Sequence, residues 1–206
     1  MRRTPLGPVA LAVAVLLAGC ATEEAPSPYL QPGDVVSRGD VEVVLDEPTT
    51  LSFGRGAPCY VRGAPEPDMG SSGDYVVYEV TDRQDGQDVD GGLMSAALAP
   101  EPEVLQRLPA YLDAAPDACL SDIVVELDQQ AADEVAAAAE VPVDDVRVLR
   151  RPIDELWRAY VIVDGRVAVV QVDGPGVADA VDLTSTVAAA VARLRDYPGD
   201  LPPQDS

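Results

Sequence analysis

Residues 157–172 read WRAYVIVDGRVAVVQV, and this stretch restricts the possible folds more than any other. Two runs rich in β-branched and aromatic residues meet at Asp164-Gly165, a pair that tolerates the positive φ of a two-residue type I′ turn. That turn fixes the register. Val163 falls opposite Arg166, Val161 opposite Ala168, Ala159 opposite Val170 and Trp157 opposite Val172 on one face. The other face carries Ile162 with Val167, Tyr160 with Val169 and Arg158 with Gln171. Both faces are mostly apolar, whereas a hairpin half exposed to water would alternate. The hairpin is therefore expected to be central, covered on both sides or facing an internal cavity.

The flanking segments mix helix and strand signals. Residues 177–196 place Ala180, Val181, Thr184, Val187, Val191 and Leu194 at helical spacing, with Pro198-Gly199 as the stop. Residues 103–114 read as a short helix. Asp128 is placed to N-cap a second helix running to Glu140. Strands are expected at 41–45, 74–81, 122–127 and 143–150. The predicted fold class is α+β: one domain over 35–197, with a largely antiparallel sheet and the C-terminal helix packed on it.

Charge removes several function classes. The chain has 36 acidic residues against 14 basic ones; every basic residue is Arg, and there is no His. Without His, Ser-His-Asp and Cys-His nucleophiles and His-containing metal sites are excluded. Without Lys, so are Schiff-base chemistry and Walker-type phosphate loops. So acidic a surface repels phosphate backbones, and no nucleic-acid partner is expected. The Arg-for-Lys usage, with abundant Ala, Val, Asp and Gly, is also what a GC-rich genome imposes.

The N-terminus carries an export signal in three parts. Arg2 and Arg3 are followed by the apolar run VALAVAVLLA at 9–18, then by Leu17-Ala18-Gly19-Cys20 at the cleavage position. The apolar run is too short to span a bilayer about 30 Å thick. The four residues 17–20 resemble the bacterial lipobox. The resemblance implies cleavage before Cys20, thioether-linked diacylglycerol on its sulfur and acylation of the new amino group. The chain would then sit on the extracytoplasmic face of the membrane, in the cell envelope. Two or more acyl chains suffice for stable anchoring at ~0.8 kcal/mol per buried methylene. Loss of residues 1–19 leaves 12 basic residues against 36 acidic, a net −24. Residues 21–34 (ATEEAPSPYLQPGD) hold three Pro and no apolar period, and read as an extended tether of about 40 Å. Residues 198–206 read as a flexible tail.

With Cys20 taken by lipid, Cys59 and Cys119 remain as a pair in an oxidising compartment, and a disulfide between them is expected. Closing a loop of roughly 60 residues contributes about 4 kcal/mol by loop-closure entropy. No Cys-x-x-Cys and no cluster of cations favours a redox role.

Candidate chemistry is sparse. TDRQDGQDVDGG at 81–92 gathers Asp82, Asp85, Asp88 and Asp90 among glycines, so Asp85, Asp88 and Asp90 are candidates for calcium. The EF-hand pattern fails there: its first ligand would be Gly86 and its closing Glu would be Ala97. A solvated acidic loop is the simpler reading. Arg38-Gly39-Asp40 is the tripeptide that integrins read, and three common residues coincide easily. Arg147, Arg150, Arg151 and Arg158 cluster around the hairpin, able to clasp a carboxylate or phosphate or to neutralise neighbouring acids. Arg150, Arg158 and Tyr160 are the candidates for a ligand cleft, and Trp157 is expected in the core. No pair of carboxylates can be nominated for glycoside hydrolysis.

The order of WRAYVIVDGRVAVVQV, a Gly/Pro turn (Gly174-Pro175-Gly176) and an Ala/Val-rich C-terminal helix is similar to the extracytoplasmic sensor-type domains of actinobacteria. These occur as lipoproteins and as outer domains of some receptor kinases. The resemblance covers about 40 residues and implies a curved antiparallel sheet, helices and a ligand cleft, with no catalytic residue. The expected function is a non-catalytic ligand- or partner-binding lipoprotein without cofactor, its partners a small molecule or an envelope protein. The alternatives are a lipid or hydrophobic-ligand carrier using a hairpin face as a pocket wall, and a cell-envelope enzyme.

Overall fold

A computed structural model describes residues 27–38, 41–42, 49–52, 74–78, 81–82, 91–118 and 124–201. The hairpin forms in the expected register, from Trp157 opposite Val172 to Val163 opposite Arg166. Its turn takes φ of 50° at Asp164 and 76° at Gly165, both in the left-handed region a type I′ turn demands. The two strands, β8 (Leu156–Val163) and β9 (Arg166–Asp173), lie inside a seven-stranded antiparallel sheet. Its other strands are β2 (Thr49–Ser52), β3 (Asp74–Tyr78), β5 (Gly92–Leu98), β6 (Glu126–Leu127) and β7 (Val146–Arg151). The spatial order is β2-β3-β5-β9-β8-β7-β6. A small separate pair joins β1 (Val41–Glu42) to β4 (Thr81–Asp82). The chain is thus α+β and largely antiparallel, as its pattern indicated.

Helices cover both faces, which explains why the hairpin is apolar on both. One face turns Trp157, Ala159, Val161, Val170 and Val172 toward α2 (Gln129–Ala139), α3 (Pro175–Ala180) and α4 (Leu183–Asp196), whose Val135, Val177, Val187, Val191 and Leu194 complete that core. The opposite face turns Tyr160, Val167 and Val169 toward Val104, Leu108, Tyr111 and Leu112 of α1 (Pro102–Ala118). Each fully buried Val or Leu contributes about 1.5–3 kcal/mol of transfer free energy. Val161, Val167, Val169 and Val170 are closed off from solvent altogether, so the middle of the hairpin is packed on both faces.

Several boundaries differ from the sequence reading. The expected helix over 177–196 breaks at Val181-Asp182. Val181 bridges Ser37 in extended conformation, and the Asp182 carboxylate accepts the Ser185 N–H at 3.1 Å to start α4. The helix expected over 103–114 runs from Pro102 to Ala118, through Pro109 and Pro116. The strand expected over 143–150 opens with a 3-10 turn (Val143–Asp145) and joins the sheet only from Val146. Of the strand expected over 122–127, Glu126 and Leu127 pair with β7. The helix from Asp128 forms as expected: Asp128 accepts the Ala131 N–H at 3.0 Å, and Glu140 closes α2 in the left-handed conformation.

The tether boundary at Asp34 and the tail boundary at Pro198 are both corrected. Leu30 is 1% exposed within the core, and its N–H reaches the buried Ser95 hydroxyl at 3.3 Å. Leu201 is buried in the same core. Prolines obscure both segments in the sequence, and a buried leucine helps to anchor each.

Candidate functional site

The expected cleft residues do not share a face. In β7, Arg150 stands opposite Trp157 rather than Arg158, so side-chain alternation sends Arg150 to the α2/α3 side and Arg158 to the α1 side. Arg150 and Arg158 meet only around a hollow of about 10 Å3 shared with Val125, Leu149, Arg151 and Leu156, and Tyr160 does not line it.

On the α1 side, Tyr160 is fully buried beneath Tyr111 and Leu112. Its hydroxyl accepts from Arg158 Nη1 at 3.1 Å, while Nε and Nη2 of Arg158 both donate to Gln171 Oε1. Burial holds the Tyr160 phenol above its ordinary pKa, and the Arg158 charge opposes that rise in part. Arg158 thus braces the two central strands from below.

On the other side lies a cleft of about 510 Å3. Arg150 and Arg151 arrive at the end of β7, and Pro152 and Glu155 come from the β7–β8 connection. Trp157 and Leu156 supply an apolar wall; Ala178, Asp179 and Leu183 close the far side from α3 and α4. The connection needs a tight reversal: a 3-10 turn (Pro152–Asp154) ends on Glu155 at φ 50°. That reversal turns Ile153 out, 82% exposed, beside the cleft. Arg150 Nη1 lies 3.4 Å from Asp128 Oδ2, a long pairing, and its side chain is 59% exposed. Trp157 belongs to the core, as expected, and also borders the cleft. Volume, an apolar wall and a few convergent polar groups are the features of small-molecule sites. The guanidinium at the mouth suits a carboxylate or phosphate. Asp128, Glu155 and Asp179 also line the cleft, so its two arginines stand among three carboxylates.

The sequence reading missed Glu155, Asp179 and Leu183. Asp179 and Leu183 were hidden inside what read as one continuous helix; the N-capping capacity of Asp182 was the signal for the break.

Among the described residues, two further arginines tie elements of the fold together. Arg147 grips Asp113 of α1 through Nε at 2.5 Å and Nη2 at 3.1 Å. Arg195 donates to Ala139 O and Glu140 O at the end of α2, where a cation meets the negative helix terminus. Cys20, Cys59 and Cys119, the calcium candidates Asp85, Asp88 and Asp90, and Gly39 and Asp40 of the Arg-Gly-Asp tripeptide lie outside the described residues. Among the described residues no group of His, Cys, Asp or Glu could hold a metal ion. Among them, too, no helix is long and apolar enough to cross a membrane. No family model matches the chain, and no match emerges among curated proteins or solved structures.

Proposed function

We propose that the chain is a lipid-anchored protein of the extracytoplasmic membrane face. Its domain binds, without catalysis, a small ligand carrying one anionic group, or the corresponding terminus of an envelope protein. The observation that carries the reading is the cleft in which Arg150 and Arg151 meet the Trp157 wall, in a chain that is otherwise strongly acidic. The lipobox-like Leu17-Ala18-Gly19-Cys20 supports the anchor. The lack of His and Lys supports a binding rather than a catalytic role, and the acidity supports a partner other than nucleic acid.

Thermal unfolding of the full-length protein against a panel of aromatic and aliphatic monocarboxylates and monophosphates tests the site. A ligand at 100-fold its Kd stabilises by about 2.7 kcal/mol, a rise of roughly 5–10 °C in a domain of this size. Arg150→Glu should remove that rise without lowering the ligand-free Tm by more than a degree or two, because its side chain is mostly solvated. A panel that stabilises both proteins equally would place binding elsewhere. Cys20→Ser should move the chain from the membrane fraction to the soluble one, and retention on the membrane would refute the anchor.

A further inference from the structure

The docked N-terminal segment turns the anchor into a statement about orientation. Ser27 lies against the C-terminal turns of α4, in a hollow with Ala192, Arg193, Asp196 and Tyr197. From there the segment runs antiparallel to the helix. Asp34 is gripped by Arg193, and the Val36 N–H donates to Thr186 Oγ1 at 3.3 Å. The Asp182 N–H donates to Val36 O at 2.7 Å, and Ser37 bridges Val181. The segment thus begins at one end of α4 and finishes at the other, where Leu183 and Ala178 line the cleft. At 1.5 Å per residue the helix separates these ends by about 20 Å. A second ruler agrees. The hairpin turn at Asp164-Gly165 shares its end of the domain with Tyr197 and Leu201. The eight residues of β8 lead from there back to Trp157 and the cleft, about 26 Å at strand rise.

Only six residues, 21–26, separate Cys20 from Ser27. Fully extended, they reach about 25 Å, well short of the tether of about 40 Å that the sequence suggested. A lipid on Cys20 is therefore tied to the C-terminal end of α4, by a leash about as long as the helix. A mature chain of net charge −24 is repelled by anionic headgroups within a Debye length of about 8 Å, which opposes its tipping over to lay the cleft on the surface.

We propose that the anchored protein stands with the α4 C-terminus and the 164–165 turn toward the membrane and the Arg150–Trp157 cleft at its outer end. The cleft then takes a water-soluble anionic ligand from the envelope phase and not a lipid headgroup from the bilayer beneath. This rests on Cys20 bearing lipid and on the cleft being the binding site.

The test is energy transfer from tryptophan to dansyl-labelled lipid, with the full lipidated chain reconstituted in phosphatidylcholine–phosphatidylglycerol vesicles, whose anionic headgroups supply the repulsion. Trp157, the sole tryptophan, reports from the cleft. Asp200→Trp adds a reporter at the near end and Ile153→Trp adds one at the far end, both at exposed positions. Asp200→Trp should raise total transfer several-fold over wild type, and Ile153→Trp should leave it within about a quarter of the wild-type value. Equal gains, or a larger gain from Ile153→Trp, would overturn the orientation. The intact mass of the same samples separates the two failures. Protein that lacks acyl chains and does not float with vesicles refutes the anchor, and the orientation with it. Lipidated, floating protein with the wrong transfer pattern refutes the orientation alone.

Discussion

Asp34 accepts from both Nε and Nη2 of Arg193, at 2.8 and 3.1 Å, across 159 residues of sequence. One oxygen of the same carboxylate also accepts the Gln31 N–H at 2.6 Å, closing the 3-10 turn at Pro32–Asp34. This single group both shapes the N-terminal segment and fastens it to the last turns of α4.

Asp34→Ala should cost about 1 kcal/mol, the upper range for a partly solvated pair, because a bidentate grip and a turn are lost together. Leu30→Ala should cost more, about 2–5 kcal/mol, since its side chain is sealed in the core. Urea unfolding of both variants checks the order. Were residues 27–34 a free tether, neither substitution would move the midpoint.

Tyr160 makes stability depend on alkaline pH. Its folded pKa lies above the ordinary 10.0, so above pH 10 the unfolded chain gives up a proton that the folded chain keeps. The contribution of Tyr160 is fully present below that value and is lost as pH rises toward the folded pKa. Tyr160→Phe should cost on the order of 1 kcal/mol at pH 8, through the acceptor withdrawn from Arg158. It should also show a shallower loss of stability between pH 10 and 11. Unfolding curves at pH 8, 10 and 11 decide the matter; an unchanged gap between the two proteins across that range would contradict it.

Gly91 sits at φ 132°, and a Cβ there would lie 2.0 Å from the Asp173 carbonyl oxygen. Backbone cannot yield as a side-chain tip can. Gly91→Ala is therefore expected to cost at least about 2 kcal/mol, through the strained conformation and the displaced edge of β9 together. Gly165→Ala meets only the conformational penalty, because nothing lies near its Cβ, and should cost about 1 kcal/mol. Chemical denaturation of the pair should rank them in that order, and a Gly91→Ala protein as stable as wild type would rule out the close approach.

How much was legible in the sequence follows from which forces are local. Asp164-Gly165 sets the register of β8 on β9 through two backbone conformations, so every cross-strand pair of the hairpin could be read in advance. The apolar character of both faces likewise pointed to a hairpin covered on both sides or facing a cavity, and helices supply the cover. The pairing of β7 with β8 could not be read the same way. It depends on the 152–155 reversal, which places Arg150 opposite Trp157 and so separates it from Arg158. The break at Asp182 was obscured because Val181 occupies an apolar position in the helical period. Its bridge to Ser37, far away in sequence, decides the conformation. The cleft was invisible for the same reason: its far wall, Ala178, Asp179 and Leu183, exists only once that break is made.

The most direct test of the central claim is native mass spectrometry of the full-length protein drawn from its own cell envelope, wild type beside Arg150→Ala. The account predicts diacylglycerol on Cys20 in both proteins. It also predicts a small non-covalent adduct, released as an anion on activation, on the wild type alone. An adduct of the same mass on both proteins would contradict the assignment of binding to the Arg150–Trp157 cleft, as would its absence from both.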